Sequence, residues 1–385
     1  MGLNTLDLDA ESTFVEAANN DLLESAESVD LAGGDRLIYG NIDGPADIDV
    51  YDLGSVRPGD RVVVDLVIDA DLYGTIVLFD ETGASVLIND HRNVYLGRTD
   101  PFIDVVIRRA AESCHVAVAG TPGFSSFGEY ALVASMTPGE TIPSPTPDAI
   151  LLNFAGANDV GFGGRPKVDV PVFDGASISD EFAQQTDAIV AAIVAGVRED
   201  FAGFDVTIRT TSEGSVAEPG DTLIHFGTYD SALLGVAEGV DEFNAADSQE
   251  AIVFTDTFAA FLALDPTHEQ IARAITNVAS HEIGHLLGLV HTTDAIGIMD
   301  VTASLRQLMA DQAFVRSPIN SAVFPIGAQD AAQALLDATG GDAEFVHEQS
   351  RSHMNSAQRL IFDDDGPPAR LQLILGSCSL GQNDR

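Results

Sequence analysis

The sequence predicts a multidomain protein in which an antiparallel all-β sandwich of jelly-roll type precedes an α/β domain. Three observations lead to this fold class. Residues 29–136 contain short β-rich runs without a helical pattern, residues 137–148 are rich in proline, and residues 149–341 mix strand-like with helix-like segments. The remaining residues are an acidic N-terminal segment, 1–28, and a C-terminal tail, 342–385, with weak patterns.

The predicted sandwich rests on period-two alternation of apolar and polar residues, which is typical of half-buried strands. Gly, Pro, Asp and Asn clusters separate the runs, as expected for an antiparallel sandwich. The runs are DRLIYGNI, DIDVYDLG, DRVVVDLVI, GTIVLFD, ASVLIND, FIDVVIRR, CHVAVAG and GEYALVASM.

The boundary to the second domain is predicted at TPGETIPSPTPD, residues 137–148, because prolines disfavour helices and interior strands. Strands are then expected in AILLNFAG, FDVTIRTT, DTLIHFGT and EAIVFTDTF. Helices are expected over 179–201, capped by Ser179 or Asp180, over 265–289, and over 327–341. Asp265 is the expected cap of the long central helix, with Pro266 in its first turn.

The charge balance limits the classes of partner. The chain has 60 acidic and 18 basic residues, which gives a formal net charge of −42. Such a surface repels nucleic acid and anionic lipid, and we find no apolar run long enough to span a membrane. The acidic surface can serve solubility or tolerance of high salt, and some carboxylates could bind Ca²⁺.

Neither the cysteines nor the N-terminus fixes the compartment. Cys114 lies in a predicted buried strand and Cys378 in the tail, so two free thiols are favoured over a disulfide. The N-terminus, MGLNTLDLDAESTF, shows no basic region followed by an apolar region, so no standard secretory signal is visible.

The stretch SHEIGHLLGLVH, residues 280–291, holds three of the nine histidines of the chain. On a helix, positions four apart differ by only about 40° around the axis, so His281 and His285 share one face. Gly288 allows a sharp turn at the end of the helix, which brings His291 back toward them. Three imidazoles with an open fourth position suit catalytic Zn²⁺, and Glu282 lies beside the metal, where a general base is needed.

The motif HExxHxxGxxH is matched by His281, Glu282, His285, Gly288 and His291, and here the sequence resembles the metzincin zinc metalloproteases. HTTDAIGIMD is similar to their Met-turn, with Met299 as its methionine, and the short spacing resembles the matrixin branch. The resemblance implies an α/β zincin domain, three histidine ligands to Zn²⁺, Glu282 as general base, Met299 as support beneath the metal, and protein or peptide substrates.

Residues 20–136 resemble the bacterial pre-peptidase C-terminal domain, an accessory β-sandwich of secreted proteases. The resemblance is carried by NDLLESAESVDLAGGDRLIYGNID, DIDVYDLGSVRPGDRVVVDL and GTIVLFDETG. It implies an extracellular, secreted protein.

Several alternatives stay open. Structural Ca²⁺ could bind Asp47, Asp49 and Asp52, or Asp241, Asn244 and Asp247, although a solvated face explains the first set as well. His225 is either a structural histidine or part of a second metal site. The whole protein could also be a non-catalytic surface or adhesion protein with a degenerate zincin domain and a binding β-sandwich. The oligomeric state is not predicted.

Overall fold

The computed structural model describes residues 13–16, 20–68, 72–90, 100–124, 126–162 and 165–360, without the side chains of 356–360. These residues form two compact, β-rich units. The first contains the described residues up to Ser144 together with Ile319–Ala328. The second contains Pro145–Pro318 and the described residues from Gln329 onward. No helix in the described ranges combines the length and the apolarity needed to cross a lipid bilayer.

The first unit consists of two five-stranded sheets. Its strands are β1 (Thr13–Val15), β2 (Glu27–Ser28), β3 (Arg36–Ile42), β4 (Ile48–Asp52), β5 (Arg61–Ile68), β6 (Gly74–Phe79), β7 (Ser85–Asn89), β8 (Phe102–Val106), β9 (His115–Gly120) and β10 (Gly128–Thr137). The sheet orders are β1-β3-β10-β5-β8 and β2-β4-β9-β6-β7. Neighbouring strands are antiparallel except at one edge of each sheet, where β1 and β2 run parallel to β3 and β4. Short 3-10 helices span Leu23–Ser25 and Leu31–Gly33.

Alternation along the strands builds the core of this unit. In β5, Val62, Val64 and Leu66 are fully buried while the residues between them are less so. The two sheets meet where the hydroxyls of Tyr51 on β4 and Tyr130 on β10 lie 2.6 Å apart. Each of the eight runs that the sequence indicates contains one strand, β3 to β10, whereas β1 and β2 come from residues 1–28, the acidic segment with weak patterns.

Cys114, just before β9, is buried, and burial raises the pKa of its thiol to about 12. Cys378 lies outside the described residues, as does most of the predicted tail.

The chain from Asp148 onward forms the remaining elements. The strands are β11 (Asp148–Asn153), β12 (Ala157–Val160), β13 (Val168–Val170), β14 (Val206–Thr210), β15 (Thr222–Phe226), β16 (Gly235–Ala237), β17 (Glu250–Val253), β18 (Arg316–Pro318) and β19 (Ala328–Asp330). The helices are α1 (Thr186–Asp200), α2 (His268–Leu286), α3 (Leu305–Leu308), α4 (Ala331–Thr339) and α5 (Ala343–Leu360). Shorter 3-10 helices span Gly175–Ser177, Asp180–Phe182, Thr211–Glu213 and Thr255–Leu264.

The main sheet of the second unit has the order β14-β11-β15-β17-β16. Its first four strands are parallel, and β16 pairs antiparallel with β17 at one edge. One face packs with α1 and α2 in a single apolar core. Alternate residues on the other face, such as Val236 and Ile252, pack against the antiparallel β12–β13 pair. This mixed sheet places α2 directly behind the edge strand β16.

Two helix starts differ from the expectation. Asp265 does not cap α2; with φ 53° it ends the preceding 3-10 helix, Thr255–Leu264. Thr267 caps α2 instead, in a reciprocal capping box with Gln270, because its hydroxyl reaches the N–H three residues on. Ser179 caps only the short 3-10 turn, and α1 begins at Thr186.

Candidate metal centre

Helix α2 carries two of the three sequence-predicted histidines. It is buried almost continuously from Ile271 to its end, since it lies against the main sheet on one side and α1 on another. His281 and His285, one turn apart, are 0% and 1% exposed. Their rings project from the same face, with centroids 4.7 Å apart.

The chain reverses immediately after α2, and a glycine is required there. Gly288 has φ 97°, which side-chain-bearing residues rarely adopt. A Cβ at this position would also lie 3.0 Å from the carbonyl oxygen of Asp241. The Leu289 N–H donates to the Gly284 carbonyl at 2.8 Å and closes the turn, which directs His291 back toward α2.

The three imidazoles meet through their Nε2 atoms. Nε2 of His285 lies 3.1 Å from Nε2 of His281 and 3.0 Å from Nε2 of His291. One ligand nitrogen from each of the three histidines lies within 4.8 Å of the other two. Nitrogens that share one tetrahedral Zn²⁺ stand about 3.3 Å apart, given Zn–N bonds of about 2.0–2.1 Å. Within the described residues, no other group of three His, Cys, Asp or Glu side chains is this compact.

Hydrogen bonds on the far side of two rings set their tautomers. Nδ1 of His281 donates to the Ile298 carbonyl at 2.7 Å, and Nδ1 of His285 donates to the Leu289 carbonyl at 2.8 Å. A carbonyl oxygen only accepts, so each Nδ1 carries the proton and each Nε2 keeps its lone pair. Burial lowers the pKa of His281 to about 3 and that of His285 to about 4, and it lowers the pKa of His291 well below the usual value. The three rings are therefore neutral near neutral pH, and the Nε2 lone pairs of His281 and His285 are available to Zn²⁺.

Glu282 follows His281 and is fully buried. Burial is the largest effect on its carboxyl and raises the pKa well above the usual range, against smaller opposing effects from the Ala237 N–H and the Arg165 charge. Within the described part of the chain, neither carboxylate oxygen accepts a well-formed hydrogen bond. The carboxylate lies against β16, since a Cβ at Gly235 would overlap it.

Met299 is 2% exposed and packs beneath α2, where its sulfur faces Gly284 so closely that a Cβ there would overlap it. The Met299 carbonyl accepts from the Thr292 N–H at 2.9 Å, which ties this turn to the residue after His291. The neighbouring Ile298 supplies the acceptor for His281. The segment thus supports two of the three rings through backbone contacts.

The candidate calcium ligands do not come together as a metal site in the described residues. Asp241 accepts from the backbone N–H of Ala246 at 2.9 Å, and the Asn244 amide donates to the Thr146 carbonyl at 2.8 Å. Asp49 accepts from the Tyr130 hydroxyl instead. Calcium remains a prediction without structural support.

His225 has a structural environment. Its Nδ1 lies 3.0 Å from the Asn153 amide nitrogen, which donates to it, and its Nε2 lies 3.8 Å from the Glu250 carboxylate. Asn153 belongs to β11 and Glu250 to β17, the two strands that flank β15 in the sheet. The histidine therefore links three strands.

Sequence reasoning did not identify four contributors to the centre. The carbonyls of Leu289 and Ile298 and the strand position Gly235 act through the backbone, which leaves no signature in residue identity. Gln329, whose amide binds the backbone of Val290, lies 39 positions away from it, so local spacing could not indicate the contact.

The sequence matches no protein-family profile and no curated protein. Among solved structures, the chain is similar to the pre-peptidase C-terminal domain of a collagenase from Bacillus anthracis, with 16% identity over 29% of this chain and 94% of that domain, at a TM-score of 0.23. It is similar to archaemetzincin from Methanopyrus kandleri, with 18% identity over 43% of this chain and 87% of that one, at a TM-score of 0.26.

A third similarity is to PliG, a periplasmic inhibitor of g-type lysozyme from Aeromonas hydrophila, with 13% identity, coverage of 32% and 99%, and a TM-score of 0.24. All three similarities are low in identity and TM-score, so only the geometry of the site bears on function.

Proposed function

We propose that this protein is a zinc-dependent endopeptidase that hydrolyses peptide bonds of protein substrates. The observation that carries the proposal is the convergence of three Nε2 atoms, two of them on buried rings and the third on the half-buried His291, beside a buried carboxylate. His281, His285 and His291 would hold the ion. When bound, Zn²⁺ would supply Lewis acidity, which polarises a carbonyl group and makes a water molecule easier to deprotonate.

Glu282 is the proposed general base and acid. Its carboxylate takes a proton from the attacking water and later gives that proton to the amine of the leaving peptide. Burial raises the pKa of Glu282, which favours its protonated form and hence the second step, in which it donates the proton. Proton transfer by a positioned side chain contributes about 10²- to 10⁴-fold to rate.

Strand β16 offers a place for the substrate backbone. It is the edge strand of its sheet and pairs on one side with β17. A peptide in extended conformation can add to such an edge through main-chain hydrogen bonds. Because Gly235 lies against Glu282, a peptide aligned along β16 would pass beside the proposed base.

The burial of Glu282 argues against a non-catalytic binding protein. A carboxylate with no exposed surface and no well-formed hydrogen bond is costly to keep in a folded protein. A histidine site used only to hold a metal does not need it. This cost is understandable if the carboxylate acts on water or substrate.

The first unit is proposed to be an accessory module that contacts substrate or a surface, and the protein to act outside the cell. Both proposals rest on the sequence resemblance. The domain bounds 29–136 and 149–341 remain part of the same proposal.

The test compares the purified protein with Glu282→Gln in zinc content and in cleavage of casein. Wild type should hold about one zinc per chain, and the variant should keep the metal while losing activity by about 10²-fold or more. Glu269→Gln, an exposed glutamate in the first turn of the same helix, is the matched control and should cleave normally. Wild-type activity in Glu282→Gln, or wild type without zinc, would refute the proposal.

A further inference from the structure

The three proposed ligands are not held in the same way. His281 and His285 each have an Nδ1 hydrogen bond to a backbone carbonyl. For His291, the described residues show a hydrogen-bond-length contact only at Nε2, the atom that faces the other rings. The orientation of the third ring therefore depends on the backbone that carries it.

That backbone is held on both sides of His291. On the C-terminal side, the Thr292 N–H donates to the Met299 carbonyl. On the N-terminal side, one side chain binds both polar groups of Val290. The Val290 N–H donates to Oε1 of Gln329 at 2.7 Å, and Nε2 of Gln329 donates to the Val290 carbonyl at 3.0 Å. The side-chain amide thus pairs with both backbone groups of Val290, as a residue of a neighbouring β-strand would.

Gln329 is well placed to act as a fixed support. It is 4% exposed and belongs to β19, which continues directly into α4. The next residue, Asp330, caps α4 by accepting from the Gln333 N–H at 3.1 Å. Val290 is also buried, so both hydrogen bonds are shielded from water. In such a buried environment an unpaired backbone group is most costly.

We infer that Gln329 is a positioning residue of the metal centre, which holds Val290 so that His291 completes the ligand set. The inference rests on the proposed zinc function. Partners that orient metal ligands from outside typically contribute about 10- to 100-fold to metal affinity. An effect of this size is expected here even though Gln329 does not contact the ring itself.

The experiment measures Zn²⁺ affinity of the metal-free full chain by competition with a chromophoric chelator, and the visible spectrum of the Co²⁺-loaded protein. Gln329→Leu removes both hydrogen bonds. Gln329→Glu is nearly isosteric; its carboxylate can accept from the Val290 N–H but cannot donate to the carbonyl. Gln333→Leu is the matched control, a half-buried glutamine whose amide binds Asp337 on α4.

Both Gln329 variants should bind Zn²⁺ about 10- to 100-fold more weakly and show a changed Co²⁺ spectrum, while Gln333→Leu matches wild type. Circular dichroism checks that each variant folds. If Gln329→Leu does not fold, the zinc affinity and Co²⁺ spectrum of Gln329→Glu test the inference. Folded variants with wild-type affinity and spectrum would overturn the inference, as would unfolding of both, since Gln329 would then be a core residue. Wild type that binds no Zn²⁺ would instead refute the proposed function.

Discussion

The Nε2 atoms of His281 and His285 lie 3.1 Å apart, although each ring donates its Nδ1 proton to a backbone carbonyl. Two lone pairs thus face each other at contact distance in a buried site. Such an arrangement is favourable when a cation lies between the nitrogens, and unfavourable otherwise. Metal binding should therefore be coupled to the stability of the second unit.

Chelation should lower the melting temperature of the second unit, and added Zn²⁺ should restore it. A ligand at 100-fold its Kd stabilises the state that it binds by about 2.7 kcal/mol. Differential scanning calorimetry with and without chelator measures the change. His285→Ala is the control, because a site without its central ligand should not respond to the chelator. An unchanged wild-type transition would contradict the coupling.

Replacing Gly288 with alanine should destabilise the protein and weaken metal binding. Its φ of 97° is strained for alanine, and the new Cβ would meet backbone atoms of residues 241–243 at 3.0–3.3 Å, which cannot move as a side-chain end can. Strained backbone alone costs about 1–3 kcal/mol. The turn also positions the Leu289 carbonyl that accepts from His285, so zinc affinity should fall as well.

Gly214→Ala separates these two causes. Gly214 has φ 86°, but a Cβ there would have open space around it. Urea unfolding of both variants should show a smaller loss of unfolding free energy for Gly214→Ala, with zinc affinity unchanged. Equal losses in the two variants would mean that the contact with residues 241–243 has no effect.

The features that could be predicted from the sequence are those that a short segment determines by itself. The alternation in DRVVVDLVI gives β5, because one face of the strand is buried and the other is not. The spacing of His281, His285 and Gly288 predicts that His291 returns to the first two histidines. Helix geometry and a glycine turn are local properties, so a short segment is enough for this prediction.

Other features depend on partners distant in sequence. Strand β16 is three residues long and is a strand because β17 pairs with it. Residues 319–328 belong to the first unit although the sequence around them belongs to the second, and no local pattern marks this change. The support that Gln329 gives to Val290 is a contact to the backbone, so the identity of Val290 gives no hint of it.

Met299 should tolerate leucine but not alanine. It is buried beneath α2, so Met299→Ala leaves a cavity and should cost about 2–5 kcal/mol of unfolding free energy. Met299→Leu conserves volume and should cost less than about 1.5 kcal/mol and retain zinc. Met309→Ala, at a partly buried methionine next to the same core, is the control and should cost less than Met299→Ala. Zinc content and urea unfolding measure both effects, and a neutral Met299→Ala would show that the methionine does not support the site.

Asp49 should make the stability of the first unit depend on pH. Its side chain is fully buried and accepts from the Tyr130 hydroxyl at 2.5 Å. Burial is the main cause that raises its pKa to about 8; the Tyr130 hydrogen bond lowers it, and the charges of Glu16 and Asp47 raise it. Between pH of about 4 and 8, the folded protein therefore keeps a proton that the unfolded chain has lost. The unfolding free energy should fall as pH rises through this window, by at most about 1.4 kcal/mol per pH unit.

Asp49→Asn removes this titration, so its stability relative to wild type should rise steadily from pH 5 to pH 8. Urea unfolding at pH 5, 6.5 and 8 measures the difference, in which the other titrating groups largely cancel. Tyrosine fluorescence is a suitable probe, because the chain has no tryptophan and five of its six tyrosines lie in residues 39–130. Asp35→Asn, at an exposed aspartate of the same unit, provides the control, because burial is absent there. A difference between Asp49→Asn and wild type that stays constant with pH would mean that Asp49 is ionised in the folded protein throughout this range.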